Sequence, residues 1–230
     1  MKKFVLLLLF LSAPLVAEQK VTMGLVVFPP YSILEEQTNK CVGRFIEITK
    51  KILTDYSIQL GAVCAPPARL FRLLEKAEID FTINIKSTVA LPKNVDFVEP
   101  PFSTLQLDLY SHKQNKLDNS VAAIRGYSYH GFRAKLVDQH YKFFDLPNSI
   151  SAIQLFLKKR SSHLISYRAP LDYYVEEKEL NIKEGVSVLP LVDVATYIVI
   201  SKQSPHLELL KTKFEDYAAK HQLQFFDQVQ

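Results

Sequence analysis

Tryptophan is absent from this chain, and glycine is scarce, with six residues in 230. An average protein of this length would carry more than twice as many. Neither GxxxxGK[ST] nor GxGxxG occurs, so the phosphate-cradling loops of nucleotide-binding proteins are excluded. No run of Lys or Arg is long enough for a nucleic-acid footprint, and 28 basic against 24 acidic residues leave a net charge of only +4. Two cysteines and six widely spaced histidines do not make a metal site, and no cofactor is expected. Beyond residue 17 no stretch is long and apolar enough to cross a bilayer.

What is present points to a globular, exported protein. Hydrophobic residues make up 48% and charged residues 23%, an ordinary folded composition. The length suits one large domain or two small ones. Lys2 and Lys3 precede an unbroken apolar run from Phe4 to Leu11, then Pro14 and a small residue at Ala17. This pattern is that of a secretory signal peptide over residues 1–17. The mature chain from residue 18 would then be soluble. Export gives Cys41 and Cys64 a role, because an even number of cysteines in an oxidising compartment tends to pair. A disulfide between them would close a loop of about 24 residues and add about 3 kcal/mol of stability. Two buried thiols are the alternative.

Periodicity gives alternating strands and helices. Val21 to Phe28 reads as a buried strand, ended by Pro29-Pro30. Phe45, Ile48, Ile52, Leu53 and Tyr56 form a helical stripe, Ile58 to Cys64 a strand, Leu70 to Ala77 a helix and Phe81 to Ile85 a strand. This β-α-β-α-β order implies a parallel sheet covered by helices. Leu105 to Ser111 and Val121 to Ile124 read as strands, Tyr129 to Tyr141 as a helix, and Ile150, Ile153 and Leu157 as a helix face. His163 to Tyr167 is a further strand, followed by a helix around Asp172 to Lys178, then strands at Val186 to Leu191 and Thr196 to Ser201. Ser204-Pro205 reads as the start of a last helix, with Leu210, Phe214, Tyr217 and Ala218 as its buried stripe.

Six of these segments, in order, resemble the periplasmic substrate-binding proteins of amino-acid ABC transporters, solute-binding family 3. They are the strand from Val21 with Pro29-Pro30-Tyr31; Val42-Gly43 through Glu47-Ile48; Leu73 through Ile79-Asp80, with Ala77 where glycine is usual; Val95-Asp96-Phe97 with Pro100-Pro101-Phe102; Ile124-Arg125-Gly126-Tyr127-Ser128; and Thr196 to Lys202. The resemblance covers nearly all of the mature chain. It implies a two-lobed α/β fold of the type II periplasmic-binding class, with a ligand cleft between the lobes. Lobe I would comprise 18–102 and 203–230, and lobe II 103–202. It also implies a soluble periplasmic monomer that takes a small-molecule ligand and hands it to a permease in the inner membrane.

The departures from the family bear on the ligand. Its amino-acid binders carry an Arg after the third strand, and here that position falls near Leu91. They carry an Asp after the second-lobe strand, and here Arg168 stands there. The turn at Gly126-Tyr127-Ser128 is kept. With two of three devices missing, a small organic anion is expected in place of an ordinary zwitterionic amino acid. Arg168 and Arg69 would supply the charge, Tyr31, Tyr127 and Tyr167 the flat walls, and Ser87, Thr88 and Ser128 the polar contacts. Two other classes stay open: an orphan periplasmic sensing or interaction module, and a dehydratase-like enzyme drawing on Glu47 or Asp80. No Ser/His/Asp set is evident, and the expected activity is binding, not catalysis.

Overall fold

The structure is a computed structural model and describes residues 19–113, 118–182 and 184–229. The signal-peptide expectation lies outside the described residues. In chain order the first half runs β1 (Gln19–Leu25), β2 (Ile33–Leu34), β3 (Cys41–Val42), α1 (Arg44–Thr54), β4 (Ile58–Cys64), α2 (Pro67–Glu75), β5 (Phe81–Asn84) and β6 (Val95–Phe97). The second half runs β7 (Ser103–His112), β8 (Ser120–Ile124), α3 (Phe132–Asp138), β9 (Lys142–Leu146), α4 (Ser149–Leu157), β10 (His163–Tyr167), α5 (Arg168–Glu177), β11 (Val186–Ser201) and α6 (Leu207–Lys220).

The sheet order is β4-β1-β5-β11-β7-β10-β8-β9, with β6 also on β11. β1 pairs in parallel with both β4 and β5, as the alternating pattern requires. Two long antiparallel strands join the halves. β11 runs beside β7 from Val186 to Thr196 and then pairs with β5 and β6 through Tyr197–Ser201.

Each half has its own core, because alternate strand residues face opposite sides of the sheet. Val21, Met23, Phe81 and Ile198 lie under α1 and α6, which contribute Ile52, Leu53 and Phe214. The opposite face meets Leu70 and Leu74 of α2 with Ile79 and Val199. Gly24 permits that approach. A Cβ there would stand 2.4 Å from Ile79 Cδ1 and 2.5 Å from Leu70 Cδ1. In the second half, Leu107, Val121, Ala123 and Ile165 face α3, while Tyr110, Ala122 and Leu164 face α4 and α5. Cys41 and Cys64 form a disulfide that ties β3 to β4.

Several sequence expectations are corrected in detail. β9 was not foreseen. It is an edge strand whose residues are exposed or half-buried, so its apolar alternation is weak. The two strands expected between Val186 and Ser201 are one, with an irregularity between Pro190 and Val192. α5 begins at Arg168, four residues earlier than expected, because Pro170 in its first turn needs no backbone N–H partner. The last helix begins at Leu207. Ser204 does not cap it directly; its hydroxyl accepts from His206 N at 3.0 Å and donates to Asp80 Oδ1 at 2.6 Å. The helix expected from Tyr129 to Tyr141 is a short 3-10 turn at Tyr129–Gly131 followed by α3.

Candidate functional site

Two turns, one from each half, face each other. On the first side, Pro29-Pro30 ends the chain's run out of β1. Phe28 and Ser32 then close a tight turn, with Phe28 N donating to Ser32 O at 2.8 Å and Ser32 Oγ donating to Val26 O at 2.6 Å. This turn presents Phe28 and Tyr31. Tyr31 stacks on Phe45 of α1, centroids 4.5 Å apart at 18°. Gly43 permits this seating. Its φ is +126°, and a Cβ would stand 2.7 Å from the Tyr31 carbonyl oxygen.

On the second side, β8 ends at Ile124 and the chain turns through Gly126 at φ +76°. Tyr129 is buried, and its hydroxyl accepts from Ile124 N at 2.6 Å, which locks the turn. Arg133 of α3 donates to the carbonyls of Tyr127 and Ile124 at 2.7 and 2.9 Å, and pairs with Asp145 at 2.7 Å. Tyr167, at the end of β10, is also buried.

Phe28, Tyr31 and Ile85 from the first half pack against Tyr129 and Tyr167, with Tyr127 beside them. Phe28 meets Tyr167 edge to face, centroids 5.6 Å apart at 71°. A polar contact also joins the same two sides: Ser87 Oγ lies 3.3 Å from His130 Nδ1. Burial raises the hydroxyl pKa values of Tyr127, Tyr129 and Tyr167 above the phenol range, so all three stay neutral. Tyr31 is raised too, first by burial and then by the charges of Asp227 and Asp172, while Arg44 opposes. His130 is held below its ordinary value by burial. What meets at the closed gap is therefore aromatic and uncharged.

The structure brings Tyr31, Tyr127, Tyr167 and Ser87 to this gap. Ser128 stands exposed on the same turn, its carbonyl accepting from Gly131 and Arg133. Thr88 caps its own turn, donating to Asn84 Oδ1 at 2.6 Å. Arg69 is exposed on α2 and joins none of the other candidates. Arg168 is committed elsewhere. Its Nε and Nη2 donate to the two oxygens of Asp108 at 2.8 and 3.2 Å, a forked pair with a fully buried carboxylate. The i+4 residue Asp172 acts on it only through space. Of the enzyme candidates, Glu47 is exposed on α1, and Asp80 is bound into the frame by Thr22 N and Ser204 Oγ at 2.7 and 2.6 Å.

Phe28, Ile85, His130 and Asp108 were not foreseen. Asp108 had a signal: a lone acid inside the apolar strand from Leu105 to Ser111 must find a cation if buried. Among the described residues no three His, Cys, Asp or Glu side chains gather to hold a metal ion. No helix among them is long and apolar enough to cross a membrane.

No protein-family model and no curated protein matches the sequence. Solved structures do match. A histidine kinase sensor domain with similarity to periplasmic binding proteins superposes with a TM-score of 0.71 at 15% identity, over 89% of this chain and 91% of that one. The substrate-binding protein of an ABC uptake transporter from Streptococcus pneumoniae, with bound histidine, gives 0.70 at 16% identity, over 87% and 86%. This chain has the two-lobed periplasmic-binding-protein fold. An ancestral amino-acid-binding protein described as a precursor of cyclohexadienyl dehydratase gives 0.70 at 16% identity, over 91% and 92%.

Proposed function

We propose that this chain is an exported solute-binding protein that closes its lobes over a small organic ligand with an apolar or aromatic body. The observation that carries the reading is the contact between Phe28 and Tyr167, backed by Ser87 and His130. These contacts exist only in a closed molecule, so a ligand that adds to them shifts the population toward closure. The proposed ligand contacts are Tyr31, Tyr127 and Tyr167 as walls, with Ser87 and Ser128 as polar groups. Arg168 and Arg69 are left out, one held by Asp108 and the other standing exposed. The expected anion thereby loses its charged partners, and a ligand with little net charge is the better fit.

The proposed division keeps lobe I as 18–102 with 203–230 and lobe II as 103–202, the last residues of β11 running inside the first half-sheet. The proposed setting is the periplasm, the proposed state a monomer, and the proposed partner an inner-membrane permease of the ABC type. Binding without turnover is favoured by the structural bonds of Asp80 and the exposure of Glu47.

The test is small-angle scattering of the mature protein with and without candidate ligands. A smaller radius of gyration with ligand supports the reading, and a radius that no ligand changes contradicts it. A second reading is a sensing module without transport. The aromatic gap that fills itself favours it, since such a protein signals its state through closure alone. Normal uptake by cells lacking the gene would favour this second reading.

A further inference from the structure

A half-open pocket lies on the second half of the chain, away from the aromatic gap. Along Val186–Asp193, β11 pairs with β7 only, so among the described residues its outer edge carries no strand. α5 covers the neighbouring face of β7, and the segment after it returns through Leu180 and Ile182 to β11. These pieces flank a half-open pocket of about 630 Å³, within the usual range for organic ligands. Leu171 and Val175 of α5, Ile182 and Val188 form its apolar walls. Val188 and Leu180 remain 47% and 42% exposed, which leaves apolar surface uncovered at the mouth.

The polar end of the pocket is built around charge. Asp108 is fully buried, and its oxygens accept from Tyr110 Oη at 2.9 Å and from two nitrogens of Arg168. That set is neutral and satisfied. Asp172, one helical turn beyond Arg168, stands exposed at the mouth of the same pocket, and among the described residues its carboxylate has no hydrogen-bond or ion-pair partner. The balance of Asp108, Arg168 and Asp172 is therefore one negative charge at the end of an apolar pocket. Partial desolvation raises the Asp172 carboxyl, even against the pull of Arg168. A group that donates hydrogen bonds and brings a positive charge would pair with this unpartnered carboxylate while its apolar part covers the exposed Val188 and Leu180.

We infer that this pocket is a second ligand site, for a small organic amine whose ammonium sits on Asp172 and whose apolar body lies against Leu171, Val175 and Val188. The site belongs to one lobe, so it stands whether or not the interlobe gap binds anything.

The test is isothermal titration of the mature protein with 2-phenylethylammonium, and with 3-phenylpropionate as a probe of opposite charge. Saturable binding of the amine, with none of the carboxylate, is expected. Asp172→Asn should weaken it at least tenfold, and Val188→Trp, which fills the pocket, should abolish it. Tyr127→Ala, in the interlobe gap, should leave it unchanged. Thermal melts establish that each variant is folded. Absence of saturable amine binding at millimolar concentration would overturn the inference. So would preference for the carboxylate, or binding that Tyr127→Ala removes and Val188→Trp does not.

Discussion

Phe28 and Tyr167 stand 139 positions apart in the sequence, yet their rings meet edge to face at 5.6 Å. One lies on the turn after β1, in the first half of the chain, the other at the end of β10, in the second. Such a pair contributes about 0.5–1.5 kcal/mol beyond its buried area. Phe28→Ala should therefore move the closed–open equilibrium of the free protein toward open by about twofold to tenfold. Small-angle scattering would report a larger radius of gyration. An unchanged radius would mean that the contact does not hold the lobes.

Asp108 has no access to water, and Arg168 is its cation. Removing one partner of a buried pair strands the other charge, at about 3–5 kcal/mol. Because Arg168 is itself 40% exposed at its side chain, the lower end is expected: Arg168→Ala should cost about 3 kcal/mol in urea unfolding. Asp108→Leu with Arg168→Leu should recover most of it. If Arg168→Ala instead leaves stability intact and weakens ligand binding, Arg168 belongs to the ligand site.

His130 makes closure sensitive to pH. Its Nδ1 faces Ser87, its Nε2 is buried without a hydrogen-bond partner among the described residues, and burial lowers its pKa from 6.5. The charged side chains on the two segments that meet there are Lys86, paired with Glu99, and Arg133, paired with Asp145. Neither offers a negative charge to an imidazolium. A base whose pKa is depressed in the closed state favours closure fully above its ordinary value. That contribution is lost as pH falls below about 6.5. Scattering between pH 8 and pH 5 should show opening in the native protein and a flat profile in His130→Gln. Identical profiles would remove His130 from the closure contact.

Much of this architecture is readable from the residues. The βαβαβ opening is marked by apolar stripes at two periods, 3.6 for α1 and α2 and 2 for the strands. Cys41 and Cys64 pair as the even count suggested. β9 escaped because an edge strand buries little, and β11 read as two strands because Pro190 interrupts its apolar run. The site was half legible. Tyr31, Tyr127 and Tyr167, expected as ligand walls, do come together where the two halves meet, whereas Arg168, expected beside them, pairs with Asp108, 60 residues away. Periodicity places residues on faces; it does not pair charges across a sheet.

The disulfide closes the loop that carries α1 and β4. Reduction should lower the unfolding free energy by about 3 kcal/mol, because the unfolded chain regains the loop's freedom. Urea unfolding with and without reductant would measure it. No change in midpoint would mean that α1 and β4 are held by packing alone.

The central claim is that the aromatic gap between the lobes takes a small organic ligand. Native mass spectrometry of the mature protein, incubated with a panel of small organic compounds, tests it most directly. The account predicts a one-to-one adduct with a compound bearing an apolar or aromatic body, retained in the native protein and lost in the Tyr127→Ala, Tyr167→Ala double variant. No adduct with any compound, or an adduct that the double variant binds equally well, would contradict it.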